Sequence, residues 1–380
     1  YFTAKKHADR AQEEIDGLRA LQNAGCATPS FVYAGLSSDH GASVVLLKWL
    51  PHARTLFGLW PELPANDPLR AEVIHQLASH LAQQHMAGLS LSEPHLAQYM
   101  WHEHQVLCID GGRVQQASEP LSMNKGVLAL SQLFAHFAPR WDVLIRAALN
   151  TYALTRFGAV HTGEGQKLNE LHKQFWPLLA QFRQQRVAHY FSAQVQYHAK
   201  HLPLLTQAPE KRDSEQDPEF VSVTLATTSG WFSKTSAASK ALASSDLLKQ
   251  YEFNTTAIFA KHLNGDNTIT LQLTANTAPL TPLDDVRRAL VIEHIRQCVA
   301  NSIAPVSFTD DGIQLVVESS QIQQSFLPAL RVCANPAHAL KCWKRALKRA
   351  LKTKSIRMEW QTELPALLNA IAKLSYVPEA

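Results

Sequence analysis

Apolar residues over positions 8–23 recur at helical spacing, with Ala11, Ile15, Leu18 and Leu21 on one face and Glu13, Arg19 and Gln22 off it. The pattern predicts an amphipathic helix that closes at Gly25, where a glycine stop is expected. Thr28-Pro29 then leads into an extended Phe31-Val32-Tyr33-Ala34, because the residue before a proline is pushed out of the helical region. Ser43 to Leu47 is short, apolar and β-branched and reads as a buried strand, followed by Lys48-Trp49-Leu50-Pro51. Residues 68–88 predict a second long helix closing at Gly88, and Val106 to Ile109 a strand with Asp110 at its end.

Residues 125–200 read as helical throughout, with one long helix over 165–200 ending in the basic, aromatic run around Arg183, Arg186 and Tyr190. The stretch from Ala208 to Pro218 is charged and bounded by prolines, and predicts a linker. Beyond it the pattern changes. Thr255 to His262 and Thr268 to Thr274 are β-rich and predict a hairpin through Asn264-Gly265-Asp266. Thr281-Pro282-Leu283-Asp284 starts a helix with a cap, an early proline and an acid. A second hairpin is expected at Asp310-Asp311-Gly312, and two helices close the chain, the first of them basic. The expected organisation is α+β: a domain over 1–207 (with parts 1–50 and 51–207), a linker over 208–218, and a separate α+β domain over 219–380.

Bulk properties narrow the class. The 380 residues suffice for two cores, and 46% hydrophobic against 18% charged residues describes a folded chain rather than a disordered one. A net charge of +4 is too mild to point to nucleic acid, and no such partner is expected. Cys26, Cys108, Cys298, Cys333 and Cys342 are scattered and form no CxxC pair, which suits free thiols in a reducing cytoplasm. No apolar run approaches the roughly 20 residues of a membrane span. The chain starts at Tyr1 without a methionine, which leaves open whether Tyr1 is the native end.

The chemistry concentrates between residues 85 and 112. His85, a carboxylate at Glu93, an amide at Gln98, and Asp110 followed by two glycines after a short apolar strand have the layout of a kinase catalytic loop and metal loop. There the first carboxylate accepts the substrate hydroxyl proton, while the amide and the second carboxylate hold Mg²⁺ against the phosphates. Kinases place Asp and Asn where this chain has Glu93 and Gln98. Each replacement keeps the functional group on an arm one methylene longer.

Glu14-Ile-Asp-Gly-Leu-Arg-Ala-Leu, Gly25-Cys-Ala-Thr-Pro29, His85-Met-Ala-Gly-Leu, Pro94-His95-Leu96 and Ile109-Asp110-Gly111 resemble the bacterial lipopolysaccharide core kinases. The resemblance covers roughly residues 5 to 200. It implies a protein-kinase-like fold, dominated by its helical C-lobe and with an incomplete N-lobe. It also implies transfer of a phosphoryl group from ATP, with Mg²⁺, to a Kdo or heptose hydroxyl of the lipid A–core at the cytoplasmic face of the inner membrane. Carried over by position, Glu93 is the catalytic carboxylate and His95 a histidine near it. Gln98 and Asp110 are the metal ligands, Glu14 the helix glutamate that pairs with a strand lysine, and Trp49 and Leu50 the hinge that holds adenine. ATP and Mg²⁺ both presuppose an intact N-lobe.

Three departures bear on activity. The longer arm of Glu93 moves the base by about 1.5 Å, where misplacements of about 1 Å cost on the order of 10²-fold in rate. Gln98 offers its oxygen from a different depth to an ion that demands near-ideal octahedral geometry. No glycine-rich loop or strand lysine is present, since Lys5 and Lys6 stand too close to Glu14. Two function classes therefore stand side by side: a lipopolysaccharide-kinase-like phosphotransferase, and a pseudokinase that keeps the shape as a binding or scaffold module in envelope assembly. A third reading makes 219–380 the active half.

His75, His80, His85, His95, His102 and His104 are close in sequence but lack zinc-site spacing, and read as surface or core histidines. Over 339–354, Leu340, Trp343, Leu347, Ala350 and Leu351 share a helix face while Lys341, Lys344, Arg345, Lys348, Arg349 and Lys352 cover the rest. Such a helix either lies on an anionic bilayer or packs its apolar face into a domain core. The expected partners are lipopolysaccharide core or another envelope glycolipid and, through those cations, an anionic membrane surface. The expected location is cytoplasmic, peripheral to the inner membrane.

Overall fold

A computed structural model describes residues 2–5, 8–36, 43–158, 164–201, 220–226, 237–250, 258–263, 268–274, 277–278, 285–305, 313–316, 321–324, 330–353 and 358–374. The chain is α+β and divides into two compact units, residues 1–182 and 183–379. The expected linker at 208–218 and the turns at 264–266 and 310–312 lie outside the described residues.

The first unit opens with β1 (Phe2–Lys5), α1 (Ala8–Asn23), β2 (Phe31–Leu36) and β3 (Ser43–Leu47). The strands form an antiparallel sheet in the order β1-β3-β2, with Thr3 opposite Val45 and Gly35 opposite Val44. α1 follows its sequence pattern. Ala11 and Ile15 pack on the sheet around Val45, while Leu21 turns into the main core. Gly25 takes a positive φ of 72°, as a glycine that closes a helix does.

Next come β4 (Arg54–Thr55), α2 (Leu56–Leu59), α3 (Leu69–Met86), β5 (Leu89–Leu91), β6 (Tyr99–His102), β7 (Gln105–Cys108) and β8 (Val114–Gln116). α3 closes before Gly88, whose φ is 73°. β6 and β7 form a hairpin through Glu103 and His104, both at positive φ, the primed geometry that matches the twist of the strands. β5 pairs with β8, so the segments on either side of residues 92–113 are tied together. α4 (Met123–Phe134) and α5 (Asp142–Phe157) complete the unit with the first part of α6 (Glu164–His201). Leu77, Leu81, Tyr99, Phe134, Ile145, Leu149 and Phe175 are among the buried residues of its core. The boundary between units falls inside α6, between Phe182 and Arg183.

The second unit holds β9 (Phe220–Ala226), α7 (Ala237–Gln250), β10 (Ile258–Leu263), β11 (Thr268–Thr274), β12 (Thr277–Ala278), α8 (Asp285–Ala300), β13 (Ile303–Pro305), β14 (Ile313–Val316), β15 (Gln321–Gln324), β16 (Leu330–Val332), α9 (Pro336–Thr353) and α10 (Met358–Ala372). β10 pairs with β11 as the expected hairpin. β14 pairs with β15 in antiparallel register, Gln314 opposite Gln323. α9 resolves the choice left by its sequence. Ala339, Cys342, Trp343, Ala346, Leu347 and Ala350 are buried in the core of this unit, and the Trp343 indole N–H donates to the Ile303 carbonyl at 3.0 Å. The apolar face is therefore occupied by packing, while Lys341, Arg345, Lys348, Arg349 and Lys352 stay exposed. Among the described residues no helix is long and apolar enough to cross a membrane. All five cysteines are free and buried.

Candidate functional site

The loop after β7 is held by a helix almost a hundred residues earlier in the chain. Asp110 stands two residues beyond β7, and residues 111–113 make a single 3₁₀ turn with no side-chain cap from Asp110. The turn's leading amides are satisfied by Glu14 of α1: one carboxylate oxygen accepts from Gly111 N at 2.8 Å and the other from Gly112 N at 3.0 Å. This requires close approach of two backbones. A Cβ on Gly17 would run into the Gly111 carbonyl, and a Cβ on Gly111 into the Glu14 carbonyl, so glycine is demanded at both positions.

The second support comes from residues 95–98. His95 caps a 3₁₀ turn over Leu96–Gln98, with its Nδ1 accepting from Ala97 N at 3.1 Å. Gln98 reaches back to complete a capping box, its Oε1 accepting from His95 N at 2.7 Å. Its Nε2 donates to Asp110 Oδ2 at 3.1 Å. Backbone bonds fix the register of these pieces: Ile109 N donates to Gln98 O at 2.9 Å, and Ser92 N to Arg113 O at 3.0 Å.

These contacts frame a polar cleft of about 610 Å³ that includes Glu14, Gln98, Asp110 and Gly112 together with Arg10, Glu13, Ser92 and Arg113. Three of the sequence-derived site residues, Glu14, Gln98 and Asp110, thus meet around it. His95 acts one step back, through Gln98, and its ring lies against those of His136 and Phe57. Glu93 does not line the cleft; its side chain is 85% exposed, with Arg113 at 3.7 Å. Trp49, 73% exposed, and Leu50 do not line it either.

The donor set bears directly on the implied metal. A metal grip by Gln98 and Asp110 needs oxygen from both. Gln98 turns its nitrogen toward Asp110 and its oxygen toward a backbone N–H, and Glu14 uses both oxygens on amides. The arrangement does not fit a Gln98–Asp110 grip on Mg²⁺.

Arg10, Glu13 and Arg113 were not singled out from the sequence. Arg10, Glu13 and Glu14 fall at the three-to-four residue spacing that puts helical side chains side by side, and Arg113 follows Asp110-Gly-Gly directly. Gly17 inside a helical pattern was a readable signal of close backbone approach.

His85, the first fixed point of the motif, is buried away from the cleft. Its Nδ1 shares a 2.7 Å hydrogen bond with the Tyr152 hydroxyl, and its Nε2 is buried without a hydrogen-bond partner. Burial, followed by the nearby Arg156 cation, pushes its pKa down to about 3, so it stays neutral.

No family model matches the chain, and no curated protein matches it significantly. Among solved structures it is similar to WaaP in complex with acyl carrier protein. The identity is 22% over 45% of this chain and 72% of that one, with a TM-score of 0.33. A likeness at that level does not assign the chain to a family.

Proposed function

We propose that residues 1–182 form a lipopolysaccharide-kinase-like unit of envelope assembly that works as a recognition module, its cleft taking a phosphate-bearing ligand such as a nucleotide. One observation carries this reading. Glu14, Gln98 and Asp110, far apart in sequence, converge on a single polar cleft, while Glu93, the carboxylate that would act as base, stands outside it in solvent. That convergence supports recognition, and the exposure of Glu93 argues against acid–base work. Arg10 and Arg113 supply the cations for phosphate, and guanidinium groups suit that role through their planar donor forks.

Phosphoryl transfer to a core sugar hydroxyl is the second reading. It is supported by the same convergence, since the residues the family resemblance names lie in the order that a catalytic loop and a metal loop require. In it, Glu93 swings in as base once an acceptor covers the rim. Incubation of the full chain with Mg-ATP and core sugar acceptors separates the two. The recognition reading expects no transfer above background and nucleotide binding that Arg113→Ala weakens. Transfer abolished by Glu93→Ala and by Asp110→Ala would instead establish the enzyme.

A further inference from the structure

The Gln98 amide cannot be turned around at will. A backbone N–H only donates, so the atom facing His95 N must be the oxygen, and the –NH₂ group then faces Asp110. Reversing the amide would aim donors at a donor and lose both the capping-box bond and the bond to Asp110. The hydrogens that Gln98 presents to Asp110 lie where a cation shared by the two side chains would have to sit. The extra methylene is what permits this. Gln98 spans from the backbone of residue 95 to the carboxylate of residue 110, which an asparagine arm at the same position is too short to do.

We propose that the Gln98 amide takes the place of a divalent cation at Asp110, so that the loop after β7 is held in place without a metal. The proposal rests on reading this cleft as kinase-like, but its test uses no nucleotide and so fails or succeeds separately. A carboxylate held by an N–H donor is compensated locally. The hydrogen bond also ties Asp110 to the 3₁₀ turn at 96–98, which keeps the loop ordered with no ion present.

The test is a gain of function. Gln98→Glu keeps an acceptor for His95 N but sets a second carboxylate against Asp110, a pairing that calls for a cation or a shared proton. Mn²⁺ binding to the full chain is followed by electron paramagnetic resonance and by the thermal midpoint, with Mn²⁺ alone as probe. The wild-type chain should be silent to millimolar Mn²⁺. Gln98→Glu should bind Mn²⁺ and gain several degrees, and adding Asp110→Ala should remove that response. Gln98→Asn, which cannot span both partners, is the second variant should Gln98→Glu fail to fold, and it should gain the same Asp110-dependent response. Mn²⁺ binding by the wild-type chain that is lost in Asp110→Ala overturns the proposal. So does silence in the folded variants, because the amide would then not be what keeps the ion out.

Discussion

Glu14 on α1 accepts two backbone N–H bonds from Gly111 and Gly112, at 2.8 and 3.0 Å, and so fastens the loop after β7 to the N-terminal helix. In a kinase, the helix glutamate at this place in the chain order is expected to face a strand lysine. Here its two oxygens cap the loop instead. The position of Asp110 in the cleft depends on that attachment.

Removing the carboxylate should therefore be costly. Glu14→Ala leaves two amides without acceptors, one of them buried, and each such loss is worth about 1–3 kcal/mol. Urea unfolding should show the first unit destabilised by roughly 2–4 kcal/mol, on the same principle. A change below about 0.5 kcal/mol, the range of an ordinary surface substitution, would mean the bonds do not hold the loop.

The glycine contact predicts a similar effect by a different cause. Gly17→Ala drives a methyl group into the Gly111 backbone, which cannot move aside as a flexible side-chain end could. Overpacking of this kind costs about 1–3 kcal/mol. The thermal midpoint should fall by several degrees, whereas Gly165→Ala, with nothing within reach of its Cβ, should leave it unchanged or raise it.

The element grammar was legible in the sequence where α1 and α3 announce themselves by apolar period and by the glycine stops at Gly25 and Gly88. Residues 51–67 and the short strands β4, β5 and β8 carry too few residues for a period to show. The site was half legible. Gln98 and Asp110 were found by motif order, but side-chain direction is set by the capping box of His95, a tertiary detail that spacing cannot give. Arg10 and Arg113 carried no motif of their own, and their role emerges only when α1 and the 111–113 turn are brought together.

Acid should weaken the first unit through its buried histidines. Burial lowers His80 to about 4, and burial with Arg156 lowers His85 to about 3, from an ordinary 6.5. Both stay neutral when folded, whereas the unfolded chain protonates them, so their contribution is complete above pH 6.5. It is lost as the pH falls from there toward the folded values. By pH 5 the loss is on the order of 2 kcal/mol per histidine. Unfolding free energies between pH 7.5 and 5 should flatten in the His80→Gln/His85→Gln pair; an unchanged slope would assign the acid sensitivity elsewhere.

On α9 the two faces should respond oppositely. Trp343→Ala removes a fully buried indole and its hydrogen bond to Ile303, a loss of about 3–5 kcal/mol from the second unit. Arg345→Glu with Lys348→Glu alters only exposed charges, with stability changing within about 0.5 kcal/mol. If that face meets an anionic surface, sedimentation with phosphatidylglycerol vesicles should drop in the charge variant. Equal sedimentation of both proteins would remove the membrane from the account.

The central claim is that the cleft around Asp110 recognises a phosphate-bearing ligand. Its most direct measurement is unfolding of the full chain against increasing ATP and ADP, in Mg²⁺ and in a chelator. The account predicts stabilisation in both conditions, approaching about 2.7 kcal/mol at a hundred times the dissociation constant, and weakened by Arg113→Ala. No stabilisation by millimolar nucleotide in either condition would contradict it.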